Sequence, residues 1–83
     1  MKQNGNLNKA ISLLTSKYQV IPEKYTMYNG AYMFEAYPRG IKDKTQCMNI
    51  HYLVDLKSKK VGPFSAAFDF DGYFKAVENM IRL

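Results

Sequence analysis

Cys47 is the only cysteine of the 83-residue chain and His51 is its only histidine, so these two side chains are the first candidates for nucleophilic catalysis. A cysteine–histidine pair works only when the side chains lie within hydrogen-bond reach of each other. Residues 47–56 alternate along one strand-like stretch. Residues four positions apart on a strand are about 13 Å apart, whereas proton transfer needs about 3 Å. The spacing therefore excludes a dyad, and we interpret His51 as a surface or edge imidazole.

Carboxylates and metal ligands are the next candidates. Glu35 and Asp55 fall on neighbouring predicted strands and could form the carboxylate pair of a glycosidase, but we interpret them as part of a solvated sheet face. One cysteine, one histidine and scattered acids do not supply the three or four ligands that zinc requires. Residues 69–72 (Asp-Phe-Asp-Gly) resemble the start of a calcium loop, but Met80 stands where that loop needs a bidentate glutamate. We predict no enzymatic activity, no metal and no cofactor.

Basic and aromatic side chains form the pattern that favours a function. The chain has 12 Lys and Arg against 7 Asp and Glu, a net charge of +5, and 14% aromatic residues. Tyrosines on an open sheet face can stack nucleic-acid bases while lysines contact phosphates, and tyrosine is also enriched at protein interfaces. The candidate partner-binding surface comprises Tyr32, Tyr37, Arg39, Lys42, Lys44, His51, Lys57, Lys59 and Lys60.

Two classes of partner remain open for this surface. A protein is the more economical choice, either a host protein or a second copy bound through an edge strand near residues 61–64. A nucleic acid is the alternative, although only two of the twelve basic residues are arginine, the residue suited to bidentate phosphate contacts. A third interpretation is that the lysines only keep an aromatic-rich chain in solution and protect its sheet edges.

Two helices are predicted from apolar stripes. Leu7, Ile11, Leu14 and Tyr18 recur at helical spacing over residues 6–18, and Phe70, Phe74, Val77 and Ile81 do so over residues 70–82, so each segment presents one apolar face. Pro22 marks the end of the N-terminal region, since the residue before a proline favours extended geometry.

Strands are predicted over residues 25–28, 31–37, 47–56 and 61–64, with a loop over residues 38–46. Asn29-Gly30 lies between the first two strands and is the strongest short-range indication of a hairpin turn. A bulge in one long strand is the alternative at this point.

The order of the elements predicts an α+β fold. We expect a single domain over residues 1–83, with residues 1–5 flexible, because the length suits one domain. The expected architecture is an N-terminal helix, a three- to four-stranded antiparallel meander sheet and a C-terminal helix, with both helices packed on one sheet face. In that arrangement the helices cover the apolar side chains Met48, Ile50, Tyr52, Val54 and Leu56, and the second sheet face stays open.

Compartment and general character can also be inferred. One cysteine allows no intramolecular disulfide, no signal-peptide pattern follows Met1, and no run reaches the ~20 apolar residues of a membrane span, so we expect a cytoplasmic protein. Residues 52–61 resemble a strand–turn–strand unit of many small bacterial and phage proteins. The chain as a whole is similar to small lysine-rich accessory proteins of phages and mobile elements. That resemblance implies an inhibitory or accessory binding protein and assigns no functional residue.

Overall fold

A computed structural model describes residues 5–43 and 50–83 of the chain. Its elements are α1 (Gly5–Lys17), β1 (Val20–Tyr28), β2 (Ala31–Pro38), β3 (His51–Asp55), β4 (Lys60–Pro63), α2 (Phe70–Glu78) and β5 (Ile81–Arg82). The strands form one antiparallel sheet in the order β4-β3-β2-β1-β5. The predicted α+β class is confirmed, and the sheet has one strand more than the predicted maximum. Within residues 5–43 and 50–83, no helix has the length and apolar character needed to cross a membrane.

The β1–β2 connection is a two-residue hairpin turn. Tyr28 pairs with Ala31, and the two residues between them have positive φ angles, 48° at Asn29 and 80° at Gly30. Left-handed conformation at both central positions defines the turn that matches the right-handed twist of a hairpin. The predicted hairpin is therefore confirmed, and the alternative of a bulge at this position is wrong.

Strand β1 is five residues longer at its start than the sequence predicts. It begins at Val20 and passes through Pro22, with a register shift between Pro22 and Lys24 where Glu23 is the additional residue. A proline donates no backbone hydrogen bond and is tolerated at bulges and on unpaired strand edges. On the outer side of β1, β5 pairs only with Lys24 and Tyr25, so Pro22 interrupts no ladder there.

The hydrophobic core has two parts, one on each face of the sheet. On the first face, α1 buries Leu7, Ala10 and Leu14 against a group of strand residues that includes Tyr32, Phe34, Tyr52 and Val54. On the second face, α2 packs through Ala76 against Met33 and Phe64. The prediction that both helices cover one face is wrong. Strand β2 buries Tyr32, Met33 and Phe34 in succession, and since successive side chains point to opposite faces, both faces require a cover.

The C-terminal helix is shorter than the predicted segment 70–82. It ends at Glu78, where the side-chain amide of Asn79 donates to the backbone carbonyl of Lys75 at 2.8 Å. The chain then becomes extended, and Ile81 pairs with Tyr25 as part of β5. Asparagine satisfies a free carbonyl at the helix end, and strand pairing with β1 replaces the last predicted turn.

The predicted strand over residues 47–56 overlaps β3 at residues 51–55. Ile50 precedes β3 and Leu56 follows it in the β3–β4 turn. Residues 44–49 lie outside the described residues, and so do the predictions made for Lys44, Cys47 and Met48.

Candidate functional site

Three phenylalanines form an exposed aromatic surface at the start of α2. Phe68 is 74% exposed, Phe70 68% and Phe74 48%, and the rings of Phe70 and Phe74 lie 4.8 Å apart between centroids. We call Phe68, Phe70 and Phe74 the phenylalanine surface. Their combined exposed area is close to that of two complete phenylalanine side chains, or roughly 300–500 Å². Phe70 and Phe74 are in direct ring contact, and Phe68 is connected to them through Phe64 and Tyr73. Exposed apolar patches of a few hundred Å² are often functional.

The orientation of α2 differs from the prediction, which places Phe70 and Phe74 against the core. The side of α2 that meets the sheet carries Ala76, which is buried, and Tyr73, which is half-buried. A β-carbon at Gly72 would contact the Asp69 carboxylate and the Tyr28 ring, so this turn of the helix lies close to the sheet. The small residues Gly72 and Ala76 let the helix backbone approach the strands. The rings of Phe70 and Phe74 therefore lie on the outer side of the helix.

Asp69 fixes the N-terminal end of α2. Its side chain accepts a hydrogen bond from the Tyr28 hydroxyl at 2.6 Å and one from the backbone N–H of Gly72 at 3.2 Å. These two bonds, the Tyr28 bond first, hold the pKa of Asp69 below its ordinary value, and the same contact raises the pKa of Tyr28. Asp69 is therefore the helix N-cap and also ties α2 to β1.

A second tyrosine fixes the middle of α2. The Tyr73 hydroxyl lies 2.9 Å from Nδ1 of His51 on β3, and the two rings meet edge to face at 5.1 Å. Burial lowers the pKa of His51, an effect that the charge of Glu35 opposes. Burial also raises the pKa of Tyr73, and Glu35 adds to that rise. A neutral imidazole can accept the phenol proton at Nδ1 only as the tautomer that carries its proton on Nε2.

The other ring nitrogen of His51 faces a carboxylate without a hydrogen bond. Nε2 is buried and bonds to no described residue, while Oε1 of Glu35 lies 3.7 Å away. Oε2 of the same carboxylate accepts a hydrogen bond from the Tyr37 hydroxyl at 3.3 Å. The prediction of a surface imidazole is wrong, since His51 is only 8% exposed. His51 pairs with Glu35 in the β2–β3 register and is covered by Tyr73, so it lies beneath α2.

Phe64 supports the phenylalanine surface from below. It is buried, and the ring of Phe68 stacks on it with centroids 5.9 Å apart and planes inclined by 15°. The rings of Tyr28 and Tyr73 lie 4.8 Å and 5.8 Å from it, and Tyr73 also meets Phe74 at 5.2 Å. The exposed rings are thus mounted on a connected aromatic layer, which restricts their side-chain motion.

The predicted partner-binding surface is only partly brought together. Two of its members are buried, Tyr32 under α1 and His51 under α2, so neither can offer a face to a partner. Tyr37 is half-buried, and Lys44 lies outside the described residues. The remaining members are exposed: Arg39, Lys42, Lys57, Lys59 and Lys60.

These exposed basic residues fall into two separate groups. Arg39 and Lys42 follow the end of β2, whereas Lys57 and Lys59 lie in the β3–β4 turn. Antiparallel pairing places that turn beside the start of β2, since Tyr32 pairs with Val54. Seven residue steps along β2 separate the two groups by roughly 20 Å. One continuous basic surface across the predicted set is therefore not formed.

The carboxylate pair considered from the sequence is not brought together, and the cysteine–histidine pair cannot be placed because Cys47 lies outside the described residues. Glu35 pairs directly with His51, so Asp55, four positions further along β3, is about 13 Å from it. That distance exceeds the roughly 5–9.5 Å that separates the two carboxyls of a glycosidase. No group of three or more His, Cys, Asp or Glu side chains suited to a metal ion occurs among residues 5–43 and 50–83.

The sequence pattern does not predict the phenylalanine surface, because the apolar stripe that contains Phe70 and Phe74 indicates a face turned to the core. Two faces of the helix are apolar: Phe70 and Phe74 form the exposed one, while Tyr73, Ala76 and Val77 form the one that packs on the sheet. A helix on a sheet buries only one such face. The apolar surface of α2 is wider than the face that packs on the sheet, which indicates that some of its apolar side chains are exposed to solvent.

Comparison with known protein families, with curated proteins and with solved structures finds no match to this chain.

Proposed function

We propose that this chain is a non-catalytic binding protein that captures a protein partner on the phenylalanine surface. The observation that carries the proposal is the exposure of Phe68, Phe70 and Phe74, between 48% and 74% each, at the start of a short helix held to the sheet. Aromatic side chains are enriched at the centres of protein interfaces, where they fill apolar pockets of the partner.

The mounting of the rings favours binding. The N-cap bonds of Asp69 and the Tyr73–His51 contact fix the helix, and Phe64 supports Phe68. Because the rings are held before a partner arrives, little side-chain entropy is lost when the complex forms. This is a reason to expect recognition by a preformed surface rather than by a segment that folds on binding.

Charge around the surface indicates the chemistry of the partner. Residues 69–82 carry Asp69, Asp71 and Glu78 against Lys75 and Arg82, a net charge of −1. The whole chain, in contrast, carries a net charge of +5. The complementary partner is a protein with an apolar groove bordered by basic residues. We propose the role of an inhibitory or accessory factor, of the kind that phages and mobile elements encode, on the resemblance of general character described above.

Other protein-binding modes have less support. A homodimer through the edge strand β4 would use a strand of four residues that ends in Pro63, and proline interrupts the row of backbone donors. The nucleic-acid alternative relied on tyrosines of an open sheet face, but α1 and α2 lie on opposite faces and Tyr32 is buried. What still favours that alternative is the group of lysines in the β3–β4 turn.

The test is comparative capture with matched variants. Purified wild-type chain, the double variant Phe70→Ser/Phe74→Ser and the control Ile41→Ser are each immobilised and exposed to the same lysate. Ile41 is an exposed apolar residue after β2, so its replacement controls for general stickiness. We expect a protein that wild type and Ile41→Ser bind and the double variant loses.

The captured protein is then purified and mixed with the chain, and hydrogen exchange should show protection over residues 68–74. An unchanged captured set in the double variant, or protection elsewhere, would contradict the proposal. Sedimentation of the wild-type chain alone reports whether the partner is a second copy.

A further inference from the structure

A groove of about 450 Å³ lies between α1 and the β3–β4 turn, on the α1 side of the sheet. It is lined by Asn6, Lys9, Ser12, Leu13, Leu56 and Lys59. This volume falls within the range of about 300–1,000 Å³ that is usual for small-molecule sites. The groove joins Lys9, which lies outside the predicted partner-binding surface, to Lys59 of the β3–β4 turn.

The charge on the groove is entirely positive. Among the described residues that line it, Lys9 and Lys59 are the charged ones, and none of the seven acidic residues of the chain lies on α1. The nearest acid in sequence, Asp55, accepts a hydrogen bond from the backbone N–H of Lys57 at 3.0 Å. It lies with Leu53 beside a different depression. Within the described residues, no carboxylate lines the groove to neutralise the two ammonium groups.

We propose that this groove binds a phosphomonoester that carries a short apolar group. A phosphomonoester has a charge of about −1.5 to −2 at pH 7, which matches two lysines, whereas a carboxylate would leave one ammonium group without a counter-charge. The hydroxyl of Ser12 can donate a further hydrogen bond to a phosphate oxygen. Leu13 and Leu56 are half-buried against the α1-side core and offer an apolar wall to the remainder of the ligand.

Lys59 provides a variant that separates binding from folding. Its φ angle is 58°, in the left-handed region that glycine and asparagine adopt more readily than lysine. Lys59→Gly therefore removes the ammonium group while it keeps or relaxes the backbone of the turn. Any loss of binding in this variant cannot be attributed to loss of the fold, and urea denaturation checks this directly.

The experiment is an NMR titration of the full chain with three probes: hexyl phosphate, hexanoate and inorganic phosphate. We expect hexyl phosphate to shift the backbone amide signals of Ser12, Leu13 and Lys59. It should bind at least about fivefold more tightly than inorganic phosphate, because methylene groups are buried on the leucines. Lys9→Gln and Lys59→Gly should each weaken it by about fivefold. Adenosine monophosphate then distinguishes nucleotides from lipid-derived phosphates as the natural source.

The control is Lys42→Gln, which removes a lysine near the opposite end of β2 and should leave the affinity unchanged. Phe70→Ser should also leave it unchanged, so this site stands or falls independently of the proposed protein interface. Equal affinity for hexanoate, or unchanged affinity in Lys9→Gln and Lys59→Gly, would overturn the proposal. Signals that shift as strongly at Arg39 and Lys42 as at Lys59 would show unspecific attraction of anions and would overturn it as well.

Discussion

The hydroxyl of Tyr73 on α2 lies 2.9 Å from Nδ1 of His51 on β3, and this pair is a polar link between the second helix and the sheet. The imidazole is almost completely buried, and its other nitrogen makes no hydrogen bond with the described residues. A buried polar group that loses its partner costs about 1–3 kcal/mol. The link therefore stabilises the position of α2 and, through it, the phenylalanine surface.

Removal of the Tyr73 hydroxyl should destabilise the fold. In Tyr73→Phe, both nitrogens of His51 lack hydrogen-bond partners, and we expect the free energy of unfolding to fall by about 1–2 kcal/mol. Urea denaturation followed by circular dichroism measures this change. Tyr25→Phe is the matched control because it removes a phenol hydroxyl on the α1 side of the sheet, and its cost should stay below about 0.5 kcal/mol. Equal effects of the two substitutions would contradict the role of the Tyr73–His51 contact.

Stability should fall when the pH drops below the ordinary histidine pKa of about 6.5. Burial lowers the pKa of His51 in the folded chain, so the unfolded chain binds the proton more tightly. The stabilisation from neutral His51 is fully present above about pH 6.5 and is lost as the pH falls from there toward the folded pKa. Denaturation curves between pH 5 and pH 8 measure the slope, and His51→Gln should reduce it.

Glu35 gives this pH dependence a second check. Its charge raises the pKa of His51 against the larger effect of burial, so Glu35→Gln should lower the imidazole pKa further in an NMR titration. Asp55 and Asp69 do not obscure the measurement. Their pKa values are also lowered, and they lose their contribution only below the ordinary carboxyl range near pH 4. If the free energy of unfolding increased as the pH is lowered from 6.5 to 5, His51 would be held in its charged form and this prediction would be contradicted.

The phenylalanine surface should contribute little to stability. Phe70 and Phe74 are 68% and 48% exposed, so replacing each with serine should change the free energy of unfolding by less than about 1 kcal/mol. Phe64→Ala removes a ring that is 5% exposed and should cost about 3–5 kcal/mol. Urea denaturation of the three variants gives the comparison. A loss of several kcal/mol at Phe70 would mean that the ring serves the core rather than a partner.

Local patterns predicted the parts of the fold that depend on neighbours in sequence. Asn29-Gly30 predicted its turn because only a few residues adopt two successive positive φ angles. The stripe of Leu7, Ile11 and Leu14 predicted α1, since those residues recur at helical spacing. Both the hairpin turn and α1 depend on the conformational preferences of residues close to one another in sequence.

The sheet face on which each helix packs depends on contacts between residues distant in sequence, which local patterns do not predict. Strand β2 buries consecutive residues, including Met33 and Phe34, which indicates a sheet covered on both faces, but periodicity alone does not say which helix covers which. His51 was expected to be exposed because histidine on an alternating strand commonly faces solvent. Its burial follows from Tyr73, which is 22 residues away.

The two glycines Gly30 and Gly62 should respond to alanine in opposite directions. A β-carbon at either position would meet no atom within 4 Å, but only Gly30 has a positive φ angle, 80°. Gly30→Ala forces an alanine into left-handed geometry in the β1–β2 turn and should destabilise the chain by about 1 kcal/mol or more. Gly62→Ala, in β4, restricts the unfolded chain without strain and should stabilise it by about 0.5–1 kcal/mol. Thermal and urea denaturation of both variants test this, and a stabilising effect of Gly30→Ala would contradict the turn conformation described for Asn29 and Gly30.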